Sequence, residues 1–214
     1  GGRPYVNALA REGFAVLVHD VFSWGSRRFT LEAMGQDILS MVDASESVWG
    51  HDRESDFGMD RDVKRYNKAS HYHEPTLEKY CNLLGTTYAG IIHYEDRAAV
   101  NYLMSRKEID SSRIGCIGLS GGGCRSGVLQ AVCKNIKAAV LVGMMSSYAE
   151  LLDHNVQSHT FMLFPAGWPR FGDWPDLAAA RAPSPLLVQY DIDDTLFPLS
   201  GMQKADQCLQ QHYS

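Results

Sequence analysis

Arg113-Ile-Gly-Cys-Ile-Gly-Leu-Ser-Gly-Gly-Gly-Cys-Arg125 is the stretch that decides how this chain folds. Its first half is apolar without alternation, the composition of a strand buried on both faces of a parallel sheet. Its second half opens a predicted helix running from Gly121 to Lys134. At the junction stands Gly118-x-Ser120-x-Gly122, with Gly121 and Gly123 beside it. A serine held in a tight strand-to-helix turn needs small neighbours, because the two backbones crowd there. Two phosphate-binding readings fail on spacing. A P-loop requires a lysine after the glycines, where this chain continues Cys124-Arg125-Ser126, and Gly115-x-x-Gly118 does not fit a dinucleotide fingerprint.

Working outward, the same alternation recurs. Downstream, Ala138–Val142 and Pro185–Tyr190 read as two more buried strands, and Leu199–His212 as an amphipathic helix. Upstream, Thr86–Arg106 is a predicted helix with Ile92, Glu95, Ala99, Tyr102 and Leu103 at spacings of three and four. Nearer the start, Pro4–Arg11 has helical character, Gly13 stops it, and Phe14–Asp20 is an apolar run ending in an acid, predicted as a buried strand. Strands separated by helices imply an α/β fold: a mostly parallel sheet with helices on both faces, within one domain spanning residues 1–214. Residues 26–85 interrupt the pattern. They are rich in charge, His, Tyr and Ser, with Gly50, Gly58 and Pro75 as breakers, and read as a long, partly helical excursion over one end of the sheet. A connection of this size is usually functional, as a cap or a substrate-facing element.

Composition narrows the partners. Twenty basic against 25 acidic residues give a formal net charge of -5, which provides no basic field for nucleic acid. No apolar run reaches the roughly 18 residues that span a bilayer, and the N-terminus lacks the basic-then-apolar pattern of a cleaved leader. Five cysteines, an odd number without Cys-x-x-Cys spacing, point to reduced thiols rather than a disulfide scaffold or structural zinc, and so to a cytoplasmic setting.

A serine hydroxyl is a poor nucleophile until a neighbouring base takes its proton, and that base is oriented in turn by a carboxylate. The expected chain order is Ser, acid, His. Asp194, at the end of the Pro185–Tyr190 strand region and four residues before Pro198, is the first candidate acid. Asp193 is second and Asp191 reads as a turn residue; all three could be turn or helix-cap residues. The backbone N–H of Gly121, at the helix start, is the expected oxyanion donor. The base is harder to place. Only His212 follows Asp194, His154 and His159 precede it, His19 ends a strand, and His71, His73 and His93 read as surface or packing residues. His71-x-His73 lacks a third ligand, so no metal is expected. The base is expected beyond Ser214 and the second oxyanion donor before Gly1, as in a chain cut at both ends.

These features resemble the dienelactone-hydrolase-like and acetyl-xylan-esterase-like branch of the α/β-hydrolase superfamily. The likeness rests on Tyr5–Asp20 and Trp24-Gly-Ser-Arg27 at the start. It continues through Tyr94-Glu-Asp-Arg97, Asp110–Gly115 and Gly118-Leu-Ser-Gly-Gly122 to Ala182–Val188 and Asp194-Thr-Leu-Phe-Pro198. It covers residues 1–25 and about 86–212. The resemblance implies Ser120 as nucleophile, Asp194 as acid, no cofactor, and cleavage of small carboxylic esters through an acyl-enzyme. A prolyl-oligopeptidase-type peptidase or a non-catalytic binding protein of the same fold are the alternatives. Phe164, Trp168, Phe171 and Trp174, in the segment 161–174, either line a pocket near the serine or form a packed loop.

Overall fold

The computed structural model of the chain describes residues 5–44, 60–152 and 156–214. These fall into two compact units, Gly1–Gly85 and Thr86–Ser214.

The second unit carries the sheet. Helix α4, Tyr88–Ser105, begins at Thr87, whose hydroxyl accepts from the Gly90 N–H at 2.9 Å, so one of the orphan donors of the first turn is satisfied. Strand β1, Ile114–Leu119, leads through Ser120 into α5, Gly121–Val132; β2, Ile136–Val142, follows. Short helices α6, Tyr148–Leu151, and α7, Trp174–Ala179, precede β3, Leu186–Gln189, and α8, Leu199–Tyr213, ends the chain. The strands pair in the order β1-β2-β3, all parallel. Each strand predicted in this region forms, within a residue or two of its expected bounds.

Register explains which apolar residues are inside. Cys116 lies beside Ala139 and Ala139 beside Leu186; Gly118, Leu141 and Val188 make the next row. These rows face the core, with Leu141 fully buried against Cys124 and Val128 of α5, Trp174 and Ala178 of α7, and Met202, Ala205 and Leu209 of α8. Helix α4 joins the same face through Val100, which clusters with Ile114, Leu129 and Ile136. The alternate row, Ile117–Val140–Leu187, points the other way, with Ile117 45% and Leu187 51% exposed. Among the described residues of this unit, α4, α5, α7 and α8 pack on the face that carries Cys116, Ala139 and Leu186. The strands still read as continuous apolar runs because their outward positions are Ile, Leu and Val instead of the polar residues of a one-sided sheet.

The first unit differs from expectation. Helix α1, Tyr5–Arg11, forms as predicted and Gly13 follows it with φ 89°. The run Phe14–Asp20, predicted as a buried strand, is irregular backbone with Phe14 62% and Val18 65% exposed. Apolar composition gives a strand only where neighbours complete the ladder, and among the described residues none pairs with this run. The described part of the excursion is largely helical: α2, Gln36–Ala44, and the 23-residue α3, Arg61–Leu83. Pro75, expected as a breaker, lies inside α3. A mid-helix proline costs about 3 kcal/mol. Tyr66, Ala69, Ser70, His73, Leu77 and Cys81 form a buried stripe along α3, and each large apolar side chain on it returns about 1.5–3 kcal/mol, which outweighs the proline. Tyr66 and Ala69 pack with Met34, Ile38 and Val42, and the Tyr66 hydroxyl donates to the Ser23 carbonyl at 2.6 Å. Gly50 and Gly58, the other expected breakers, lie outside the described residues.

Candidate active site

Ser120 directly follows β1 and caps α5. Its φ of 54° and ψ of -119° place a non-glycine residue in the left-handed half of backbone space, a conformation that costs of order 1–3 kcal/mol and persists only when its surroundings enforce it. Two hydrogen bonds do so. The Ser120 N–H donates to the Val142 carbonyl at 2.8 Å, tying the turn to the neighbouring strand, and the Ser120 carbonyl accepts from the Cys124 N–H at 3.0 Å. The serine itself is exposed.

The glycines around it are not equivalent. A Cβ on Gly118 would stand 1.9 Å from the Gly122 carbonyl oxygen, and one on Gly123 would stand 2.6 Å from Met144 Cγ. A Cβ on Gly122 would meet nothing within 4 Å. Gly118 and Gly123 are thus required by space. Gly122, expected to be small for the same reason, matters through its carbonyl, which is the atom that crowds Gly118.

Because the three strands are parallel, their carboxyl ends share one edge of the sheet. Val142 pairs with both Leu119 and Gln189 there, and the Gly143 N–H donates to the Gln189 carbonyl at 2.9 Å. Ser120 leaves β1 at this edge, and the turn carrying the three aspartates leaves β3 at it, the place where open α/β sheets hold their ligands. Within that turn, Asp191 Oδ1 accepts from the Asp193 N–H at 3.2 Å and its carbonyl from the Asp194 N–H at 3.1 Å, so Asp191 is a turn-forming residue, as its position predicts. Asp193 is exposed. Asp194 is half-buried, and its Oδ1 accepts from the Leu196 N–H at 2.8 Å. One of its oxygens therefore serves the turn.

An imidazole not favoured by chain order stands at this turn. His159 Nε2 lies 3.1 Å from the Leu196 carbonyl, and the ring packs on Phe197 with centroids 4.8 Å apart. Burial lowers its pKa, while the Leu196 carbonyl and the charge of Asp194 oppose the shift, so the ring is neutral at neutral pH. Three residues on, Met162 Cε would lie 3.1 Å from a Cβ at Gly121. The segment 159–162 therefore reaches both the acid turn and the start of α5. Irregular loops carry no periodicity, so the sequence held no signal for this approach. Among the described residues no histidine hydrogen-bonds to Ser120 or Asp194. His212 instead meets Asp176 on α7, with Nε2 3.0 Å from Oδ1.

Behind the serine, α5 is anchored by charge. Arg125 Nη2 and Nε donate to Asp96 Oδ1 at 2.5 and 3.1 Å, and the Asp96 side chain is 5% exposed. The buried stripe of α4 runs Tyr88, Ile92, Asp96, Val100, an i, i+4 ladder that includes an acid; of the predicted face, Ile92 is buried and Leu103 packs half-buried beside Val100, while Tyr102 is exposed. The signal available was Asp96 on that ladder and Arg125 five residues after Ser120.

The cysteines hold no disulfide among the described residues. All five are free, and burial pushes Cys116 and Cys124 up to about 12, leaving inert thiols. The aromatic segment is mainly a packed loop: Trp174 is buried, its Nε1 donates to the Leu163 carbonyl at 3.0 Å, and Tyr148 donates to the same carbonyl at 2.8 Å. Phe171 is 89% exposed. Among the described residues no helix is long and apolar enough to cross a membrane.

No family model matches the chain. It is 26% identical over 142 residues to YtaP of Bacillus subtilis (strain 168), a protein described as a hydrolase, matching 66% of this chain and 48% of YtaP. The chain thus spans about half the length of that relative. Among solved structures it is similar to a glucuronoyl esterase from Solibacter usitatus, with a TM-score of 0.50 and 16% identity over 60% of this chain and 37% of the esterase. A protein described as an acetyl xylan esterase, from Bacteroides fragilis, aligns at a TM-score of 0.48 and 21% identity over 70% of this chain and 41% of its own. The parallel sheet, the serine turn and the first of these structural likenesses give the chain an α/β-hydrolase fold.

Proposed function

We propose that this α/β-hydrolase-fold chain is the nucleophile-bearing part of a serine hydrolase that cleaves small carboxylic esters through an acyl-enzyme on Ser120. The observation that carries the reading is the backbone of Ser120: a strained φ of 54° at a strand-to-helix turn, with the residue exposed at the carboxyl edge of the sheet. Strain of this kind at a strand-to-helix turn serves to present a side chain. The relative described as a hydrolase and the structurally similar glucuronoyl esterase support the same reading.

In this mechanism a histidine takes the Ser120 proton as the hydroxyl oxygen attacks the ester carbonyl. Asp194, with one oxygen fixed by the Leu196 N–H, orients that histidine through its other oxygen. The Gly121 N–H, at the positive end of the α5 dipole, receives the developing oxyanion. The tetrahedral intermediate expels the alcohol and leaves the acyl group on Ser120, and water then releases it by the same steps. The chain needs no metal or organic cofactor for this chemistry.

The 214-residue chain alone is expected to turn over slowly, because no described histidine hydrogen-bonds to Ser120 or Asp194. Missing the base costs on the order of 10⁴-fold or more in kcat. The test is a fluorophosphonate probe on the longer protein that contains this chain. Labelling is expected at Ser120 and is abolished by Ser120→Ala in a folded variant. Labelling that survives this substitution overturns the nucleophile. Absence of both labelling and p-nitrophenyl acetate turnover in the longer protein would mean that the fold is used for binding alone.

A further inference from the structure

Away from the serine edge, α7 and α8 bring three potential metal ligands together. Cys208 and His212 lie four residues apart on α8 and therefore on one face, and Asp176 faces them from the first turn of α7. Asp176 Oδ1 lies 3.0 Å from His212 Nε2 and 3.4 Å from Cys208 Sγ, and the three ligand atoms all fall within 4.8 Å of one another. We propose that Asp176, Cys208 and His212 form a binding site for one divalent transition-metal ion of the zinc class, with one coordination position left to water or an external ligand.

Geometry and chemistry both carry this assignment. Bonds of about 2.0–2.3 Å in a tetrahedral centre place neighbouring ligand atoms roughly 3.3–3.7 Å apart. The two separations along the Asp176 edges sit within a few tenths of an ångström of that range, so a small side-chain movement suffices. The set is also held in place beforehand. Asp176 Oδ2 accepts from the Asp173 N–H at 2.9 Å in a capping box at the start of α7, which fixes the carboxylate and turns Oδ1 toward α8. Ligating carboxylates are typically oriented by such outer hydrogen bonds. One thiolate, one carboxylate and one neutral imidazole sum to -2, which a divalent ion neutralises. Sulfur and imidazole donors favour zinc, cobalt(II) or nickel over magnesium and calcium. Cys208 is half-buried, while Asp176 and His212 are exposed, so an ion can enter from solvent. On binding, the Cys208 thiol loses its proton to solvent and the sulfur–metal bond replaces it.

The test is cobalt(II) titration of the reduced, chelator-treated chain. The expected result is one equivalent bound, with visible d–d bands and a near-ultraviolet thiolate-to-cobalt charge-transfer band, both displaced by zinc. Cys208→Ser should abolish the charge-transfer band. His212→Ala, at an exposed position that folding tolerates, should weaken cobalt binding on the order of 100-fold while leaving circular dichroism unchanged. Lack of a charge-transfer band in the parent chain overturns the proposal. So does a band that persists in folded Cys208→Ser, which would assign it to one of the other four cysteines.

Discussion

Two apolar runs of similar length, Phe14–Asp20 and Ile114–Leu119, read alike in sequence and end differently. The second becomes β1, paired to β2 along its whole length, and delivers Ser120 to the sheet edge. The first stays irregular, with Phe14, Leu17 and Val18 exposed. Both have the composition of a strand, but among the described residues only one has a neighbour with which to exchange backbone hydrogen bonds. A strand is a property of a pair, and a run without its partner keeps only its hydrophobicity.

That contrast can be tested where the second run is tightest. Gly118→Ala would press a methyl group against the Gly122 backbone, at 1.9 Å from its carbonyl oxygen. Ordinary overpacking costs about 1–3 kcal/mol; here the obstacle is backbone that cannot rotate away, so a loss of about 4 kcal/mol or more is expected in urea unfolding. Gly122→Ala, four residues on in α5 and with open space around its Cβ, should be neutral or stabilising by up to about 1 kcal/mol. Equal penalties at the two glycines would mean that the elbow is not the constraint described here.

A smaller effect separates the two runs directly. Leu141→Ala removes a fully buried side chain from β2, beside β1, and should cost about 3 kcal/mol. Val18→Ala, at a position 65% exposed, should stay within about 0.5 kcal/mol. A large penalty at Val18, measured by the same urea titration, would show that Phe14–Asp20 is packed in solution after all.

The smallest effect is electrostatic. Burial lowers the pKa of His73 from its ordinary 6.5, and of His159 likewise. His73 stands in the first unit edge-on to Phe29, with ring centroids 5.6 Å apart; His159 stands in the second. Folding holds both rings neutral, so the unfolded chain binds more protons just below pH 6.5. Stability is therefore complete above 6.5 and falls as the pH drops from there through the lowered folded values. The urea midpoint should be lower at pH 5.5 than at pH 7.5, and His73→Phe should shrink that difference without removing it, since His159 remains. An unchanged difference in His73→Phe would mean that His73 does not contribute to it.

The sequence was most legible where local chemistry and tertiary role coincide. The Ser120 turn, α4, α5, α8 and all three strands of the sheet were readable because glycine placement, helical spacing and unbroken apolar runs each have one cheap backbone solution. Pro75 misled because a breaker is a local penalty of about 3 kcal/mol, while the buried stripe that overrides it is summed over the length of α3. Tyr102 misled because the spacing from Glu95 and Ala99 set the face slightly to one side, whereas the face that packs is centred on Ile92, Asp96 and Val100, its acid made tolerable by Arg125 from another helix.

By itself, then, the sequence determined an α/β sheet with a serine at a crowded strand-to-helix turn, since those features depend on backbone sterics within about ten residues. The tertiary structure alone decided that Phe14–Asp20 forms no strand, that His159 approaches the Asp194 turn, and that Asp176 meets Cys208 and His212 across two helices. Each of those outcomes depends on which distant segment arrives as a neighbour, and pairing across the chain leaves no periodic trace in either partner.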